Sequence, residues 1–227
     1  MKRRTKDRLR KLVRWLLIDL TVAVVVFGLL LYRPSRYSAY GLGPGDPNRE
    51  QAHRYVPYLS SEIYNGAQSG KPFELLVIDK GLNESITPWS AESEGIRLTS
   101  PEILFEPGSI VLMGTADVRG AEFIVTIALK PAIDEKGLLN VAVTAVRIGA
   151  MNITPLAKIV ARHMYEERLE VMPIDTRDWR AKVIASLLNN EPFDPVFEID
   201  GRKVRVENIT VARGKLVLAF VPSLEDV

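Results

Sequence analysis

Phe123-Ile124-Val125-Thr126-Ile127-Ala128-Leu129 is followed, past the turn Asp134-Glu135-Lys136-Gly137, by Leu139-Asn140-Val141-Ala142-Val143-Thr144-Ala145-Val146-Arg147-Ile148. Both runs alternate with period two. Phe123, Val125, Ile127 and Leu129 share one face, and Leu139, Val141, Val143 and Ala145 share a face of the next run. Upstream, residues 103–105 lead into Glu106-Pro107-Gly108-Ser109, and residues 110–116 lead into Val118-Arg119-Gly120. Alternating apolar runs separated by turn residues predict consecutive antiparallel strands, a β-meander over residues 95–148. The second face carries Ile124, Thr126 and Ala128, then Ala142, Thr144 and Val146, and is only weakly polar. Such a sheet calls for cover by helices or by a ligand. The predicted class is α+β.

At 227 residues the chain can hold one sizeable core with appendages. Its net charge of +2 conceals an asymmetry. Residues 1–14 hold eight Lys or Arg against one Asp, whereas residues 37–227 hold 20 Lys or Arg against 26 Asp or Glu, a balance of −6. The acidic main part disfavours nucleic acid as a partner, because phosphate neutralisation needs a basic surface. With no cysteine, disulfides and thiolate metal sites are excluded.

The basic head, residues 1–14, precedes 18 mostly apolar residues, 15–32. As a helix these span about 27 Å, enough for a bilayer's hydrocarbon core. Trp15 and Tyr32 suit the two interfaces, and the Lys/Arg excess places the N-terminus in the cytoplasm. A cleaved signal peptide would show a shorter apolar region followed by small residues. Here Tyr32-Arg33-Pro34 follows instead, so the segment reads as an uncleaved signal anchor of a single-pass inner-membrane protein with an extracytoplasmic (periplasmic) domain. Asp19 lies about 6 Å inside Trp15, close enough to reach headgroups or the basic head.

Residues 33–46 are rich in Pro and Gly and read as a linker, leaving residues 47–227 as the folded domain. Asp46-Pro47 has the pattern of a helix start. Ala52, Tyr55, Val56, Leu59 and Ile63 continue at helical spacing, with Pro57 as a break or kink and Asn65-Gly66 as the stop. A short strand, 73–78, runs into a helical turn capped by Asp79, and residues 87–94 read as loop. After the meander, Thr154-Pro155 opens a helix whose stripe is Leu156, Ile159, Val160, His163 and Met164. Thr176 caps a second helix, with Trp179, Val183, Ile184, Leu187 and Leu188 inward and Asn189-Asn190-Glu191-Pro192 ending it. Strands over 196–199, 203–212 and 215–221 close the chain. Asp200-Gly201 is a hairpin signal, and an irregularity is expected between the pairs Val204/Val206 and Ile209/Val211.

The sequence shows no catalytic constellation. His163 and Glu167 stand at i, i+4, but His163 falls on the apolar stripe and reads as a packed structural residue rather than a metal ligand. His53 reads as structural too. Ser60-Ser61 and Ser85 lack a nucleophile-elbow context. Gly41-Leu42-Gly43 lacks both the preceding strand and the third glycine of a dinucleotide site. Glu92 and Glu94 read as a solvated pair. No cofactor is implied.

The order anchor, helix, short strand running into a capped turn (Phe73-Glu74-Leu75-Leu76-Val77-Ile78-Asp79-Lys80-Gly81-Leu82-Asn83), meander, junction from Val146-Arg147-Ile148-Gly149 to Thr154-Pro155-Leu156, helices and closing strands resembles bacterial membrane-anchored YpmS-like proteins. More remotely it is similar to LmeA-like proteins, and through them to the tubular lipid-binding (TULIP) superfamily. The resemblance covers roughly residues 73–222. It implies a highly curved sheet wrapped along a long helix around an apolar groove suited to acyl chains, and it carries over no catalytic residues. On that reading Leu156, Ile159, Val160 and Met164 form one wall of the groove, facing the meander, and small residues such as Ala128 and Ala142 line the other. Two functions follow. One is binding of a lipid or other apolar ligand beside the membrane. The alternative is a non-catalytic bitopic envelope scaffold that recruits protein partners.

Overall fold

The computed structural model describes residues 2–38, 49–86, 91–93, 96–171 and 179–223. The protein is α+β: an N-terminal apolar helix, two antiparallel sheets and four further helices among the described residues. Helix α1 (Lys2–Leu30) joins the basic head and the apolar segment without a break. Its part Lys11–Leu30, with mean hydropathy 2.2, is long and apolar enough to cross a membrane, and none of it is buried against the rest of the chain.

The main core does not lie on the meander. It lies on a four-stranded sheet made of β1 (Phe73–Ile78), β10 (Lys215–Pro222), β9 (Arg202–Ala212) and β8 (Val196–Ile199), in that order. Leu75, Val77, Val204, Val206 and Phe220 are buried there against Leu59 and Ala67 of α2 (Arg49–Gln68). The rings of Phe73 and Phe220 stack at 4.9 Å. Helix α2 runs through Pro57, which lies on its exposed side, where water can serve the carbonyl left unbonded. It also runs past Asn65-Gly66, the expected stop. Gly66 instead permits a close approach. A Cβ there would stand 2.3 Å from the Phe73 ring, so the missing side chain lets β1 close on the helix. The expected start at Asp46-Pro47 lies outside the described residues.

The Asp200-Gly201 hairpin forms with positive φ at both residues (47° and 76°), as such a turn requires. The irregularity expected in β9 is a bulge: Ala219 faces Asn208 and Phe220 faces Val206, so Glu207 is the extra residue. Asp79 opens α3 (Asp79–Ile86).

The second sheet is a six-stranded meander, in the order β2 (Ala91–Ser93), β3 (Ile96–Glu106), β4 (Ser109–Val118), β5 (Ala121–Ile133), β6 (Leu139–Ile148) and β7 (Met151–Asn152). Part of the expected 87–94 loop is therefore strand β2. The two sheets meet at β3. Phe105 enters the main core, while Leu104, its neighbour in sequence and so on the opposite face, packs with Met113, Ile124 and Tyr37. Two backbone bonds tie the turns together there, Gly108 N–H to Val211 O and Gly214 N–H to Phe105 O, both 2.9 Å. Asn83 of α3 is buried and clamps Ile103 as a paired strand would: its amide donates to the Ile103 carbonyl (2.7 Å) and its carbonyl accepts from the Ile103 N–H (2.6 Å).

Helix α5 (Trp179–Asn189) meets β6 through its small residues. Ser186, fully buried, accepts from the Val141 N–H at 2.9 Å and donates to Asn140 Oδ1 at 3.2 Å. Ala181 is buried as well, whereas Trp179 and Ile184, expected inside, are exposed, because the small residues are the ones that permit close approach. The Thr176 cap lies outside the described residues. Helix α4 (Thr154–Val171) begins where expected, but Thr154 serves β6 rather than its own helix. Its hydroxyl accepts from the Val146 N–H at 2.8 Å.

Candidate functional site

The strand register builds one continuous surface across β3 to β6. Leu104, Val111, Ala128 and Ala145 are cross-strand neighbours in one row, and Glu102, Met113, Thr126 and Arg147 form the next. Simple alternation would leave Ala145 on the face of Val143, away from Ala128. A bulge between Ala128 and Leu129 changes this: Ala128 pairs with Ala145 and Leu129 with Val143, so Thr144 is the extra residue. The bulge carries Ala145 and Arg147 over to the face of Ala128 and Thr126.

Above this surface lies a cavity of about 490 Å³. Its apolar wall is Leu104, Val111, Met113, Ala128 and Ala145, and its rim includes Tyr32, Arg36, Glu106 and Arg147. Arg36 is ion-paired with Glu106, and Arg147 has no ion-pair partner among the described residues. The Thr126 hydroxyl is buried in the wall without a hydrogen-bond partner among the described residues. A second cavity of about 390 Å³, reaching Asp79, Arg213 and Gly214, adjoins the first across Arg36, Leu104 and Glu106. The Arg36–Glu106 pair stands between the two. Such volumes fall in the range of small-molecule pockets.

The roof comes from residues immediately after α1. Tyr37, only 5% exposed, is fixed by its hydroxyl, which is 2.8 Å from both the Ser100 carbonyl and Thr115 Oγ1. Buried Glu102 accepts from the Ser38 N–H and from the Ser38 hydroxyl, each at 2.9 Å. Arg33 lies 5.5 Å from the Tyr37 ring centre. The linker expected over residues 33–46 is thus a docked strap at its start, because Tyr37 buries an aromatic ring and satisfies its hydroxyl there. The end of α1 is held as well. Ala150, in the β6–β7 turn, donates its N–H to the Leu29 carbonyl at 2.8 Å, and Gly149 is buried beside it. The cavity, with Tyr32, Gly149 and Ala150 in its lining, therefore lies beside the end of the apolar helix.

Of the residues expected in the groove, Ala128 lines the cavity. Ala142 pairs with Lys130, farther along β5, and is not part of the wall. Leu156, Ile159 and Val160 do not face the meander but stand exposed, at 60, 68 and 47%. The reason is topological: among the described residues the sheet ends at the two-residue β7, no strand lies under the stripe, and α4 packs beside β6 and α5. The Met164 side chain lies outside the described residues. His163 is exposed rather than packed in a core, for the same reason. The side chains of His53 and Glu92, and all of Gly41-Leu42-Gly43 and Glu94, lie outside the described residues. No three His, Asp or Glu side chains gather into a metal-holding group among the described residues.

Sequence reasoning missed Arg36, Tyr37, Leu104, Val111, Met113, Ala145 and Arg147. An Arg-Tyr pair inside a segment otherwise rich in Pro and Gly was the available signal for the first two. Comparison with family models, with curated proteins and with solved structures gives no match.

Proposed function

We propose that the protein is a single-pass membrane protein whose C-terminal domain binds a lipid or similar apolar ligand next to the bilayer. In this reading α1 crosses the cytoplasmic membrane with its basic end inside, following the positive-inside bias, and the domain stands on the other side. The observation that carries the proposal is the position of the larger cavity. It has an apolar wall, guanidinium groups among its lining, and Tyr32, Gly149 and Ala150, which stand next to the end of α1, in its lining as well. A ligand leaving the bilayer beside α1 would meet Leu104, Val111 and Ala128 with its apolar part and the arginines with its polar part.

The test is mass spectrometry of lipids that co-purify with the full chain, compared with Ala128→Trp. The cavity has room for the indole, so this variant is expected to lose the bound lipid at an unchanged melting temperature. Were the wall a closed core, overpacking would cost about 1–3 kcal/mol. Equal lipid content in both proteins, or none in either, would refute the reading.

A second reading, a bitopic scaffold for envelope partners, draws support from the strap at residues 33–38. A docked strap orients a domain relative to its anchor, which partner recruitment needs and ligand uptake does not. It predicts partners in cross-linking experiments and no stoichiometric lipid.

A further inference from the structure

We propose that the outward face of α4 docks on the surface of an anionic bilayer as a second membrane contact beside α1. Leu156, Ile159 and Val160 follow at i, i+3 and i+4 and make one exposed apolar stripe. Lys158 and Arg162, one turn apart and both exposed, lie along one side of the stripe, Arg162 next to Ile159. No acidic residue occurs from Thr154 to His163; Glu166, Glu167 and Glu170 come later in the helix. An exposed apolar stripe bordered by Lys and Arg is the composition of a helix lying in a headgroup interface. A purely apolar protein groove would have no use for the basic flank, so the charge commits the partner to anionic lipid.

Position supports the same partner. The β6–β7 turn touches the end of α1 through Ala150 and Leu29. Thr154, at the start of α4, is bonded to Val146, three residues before Gly149 in that turn. At about 3.3 Å per strand residue, α4 begins roughly 10 Å from the end of α1. A bilayer crossed by α1 therefore has its headgroups within reach of the stripe. The inference rests on α1 crossing the membrane.

The chain has no cysteine, so single-cysteine labels report one site each. The full chain, labelled with bimane at Ile159→Cys, would be placed in nanodiscs of phosphatidylcholine and phosphatidylserine. Quenching by brominated acyl chains and by aqueous iodide would then be compared. Val24→Cys in α1 reports anchoring, and Glu198→Cys on β8 reports the aqueous face. The expected result is brominated-lipid quenching at Val24 and Ile159, and iodide quenching alone at Glu198. Lys158→Gln and Arg162→Gln should each lower the docked-to-undocked ratio about fivefold, in discs containing phosphatidylserine only. Iodide quenching at Ile159 with Val24 still lipid-quenched overturns the proposal. A label at Ile159 hidden from both quenchers only at high protein concentration marks a second copy and overturns it too. Loss of lipid quenching at Val24 removes the anchor and the docking with it, and so separates that failure from failure at Ile159 alone.

Discussion

Gly149→Ala should separate the end of α1 from the sheet. Gly149 has φ +57°, and a Cβ there would lie 2.4 Å from both the Leu29 and Leu30 carbonyl oxygens. Ordinary C···O contacts begin near about 3.3 Å, so the helix end must retreat by roughly 1 Å. The left-handed conformation costs an alanine about 1–2 kcal/mol. Losing the hydrogen bond from Ala150 to Leu29 adds about 0.5–1.5 kcal/mol. The two terms sum to roughly 1.5–3.5 kcal/mol. That figure is a ceiling, because α1 can undock and leave the rest of the domain folded. The assay is hydrogen exchange of the Ala150 amide in the full chain in nanodiscs. A loss of about 2 kcal/mol lowers its protection roughly thirtyfold. Gly28→Ala is the control. Nothing lies within 4 Å of a Cβ placed there, and in a helix interior alanine is favoured by up to about 1 kcal/mol. Unchanged protection of Ala150 in the Gly149 variant would refute the docked junction.

Other substitutions probe the strap, the wall and the helix contact. Tyr37→Phe leaves the Ser100 carbonyl and the Thr115 hydroxyl without their partner and should cost about 1–3 kcal/mol in urea unfolding; a change near zero would mean the strap is not docked in solution. Thr126→Val removes a buried hydroxyl that has no partner among the described residues, so the ligand-free protein should gain stability, by at most about 1–3 kcal/mol, while a loss would show that water or a ligand satisfies it. Ser186→Ala strips the Val141 N–H of its acceptor in a fully buried spot and should lower stability by about 1–3 kcal/mol, read by thermal melting; an unchanged melting temperature would contradict the α5–β6 contact.

Local features were legible from local patterns. The strands of the meander, the Asp200-Gly201 hairpin, the irregularity in β9 and the long apolar helix each depend on residues close together in the chain. Period two, turn chemistry and uninterrupted hydropathy act over a few residues, and those residues carry the information. Of the cavity wall, only Ala128 is singled out by local pattern, as a small residue on the weakly polar face.

The rest depended on pairings between distant segments. Leu156, Ile159 and Val160 make an apolar stripe whether or not anything covers it. Periodicity says that a helix has two faces, and only the position of the sheet edge decides which one is buried. Ala145 reached the cavity because a bulge shifted its strand by one residue, and a one-residue shift exchanges the faces of everything beyond it. Tyr37 has the sequence context of a linker, yet its hydroxyl sits between Ser100 and Thr115, more than 60 positions away. The sequence by itself determined most of the elements, their order and the helix able to cross a membrane, because propensity, turns and hydropathy are short-range, but not the short strands β2 and β7 or the end of α2. The tertiary structure decided where the core lies, what roofs the cavity and which apolar stripe stays exposed, because burial is settled by contacts that chain distance does not encode.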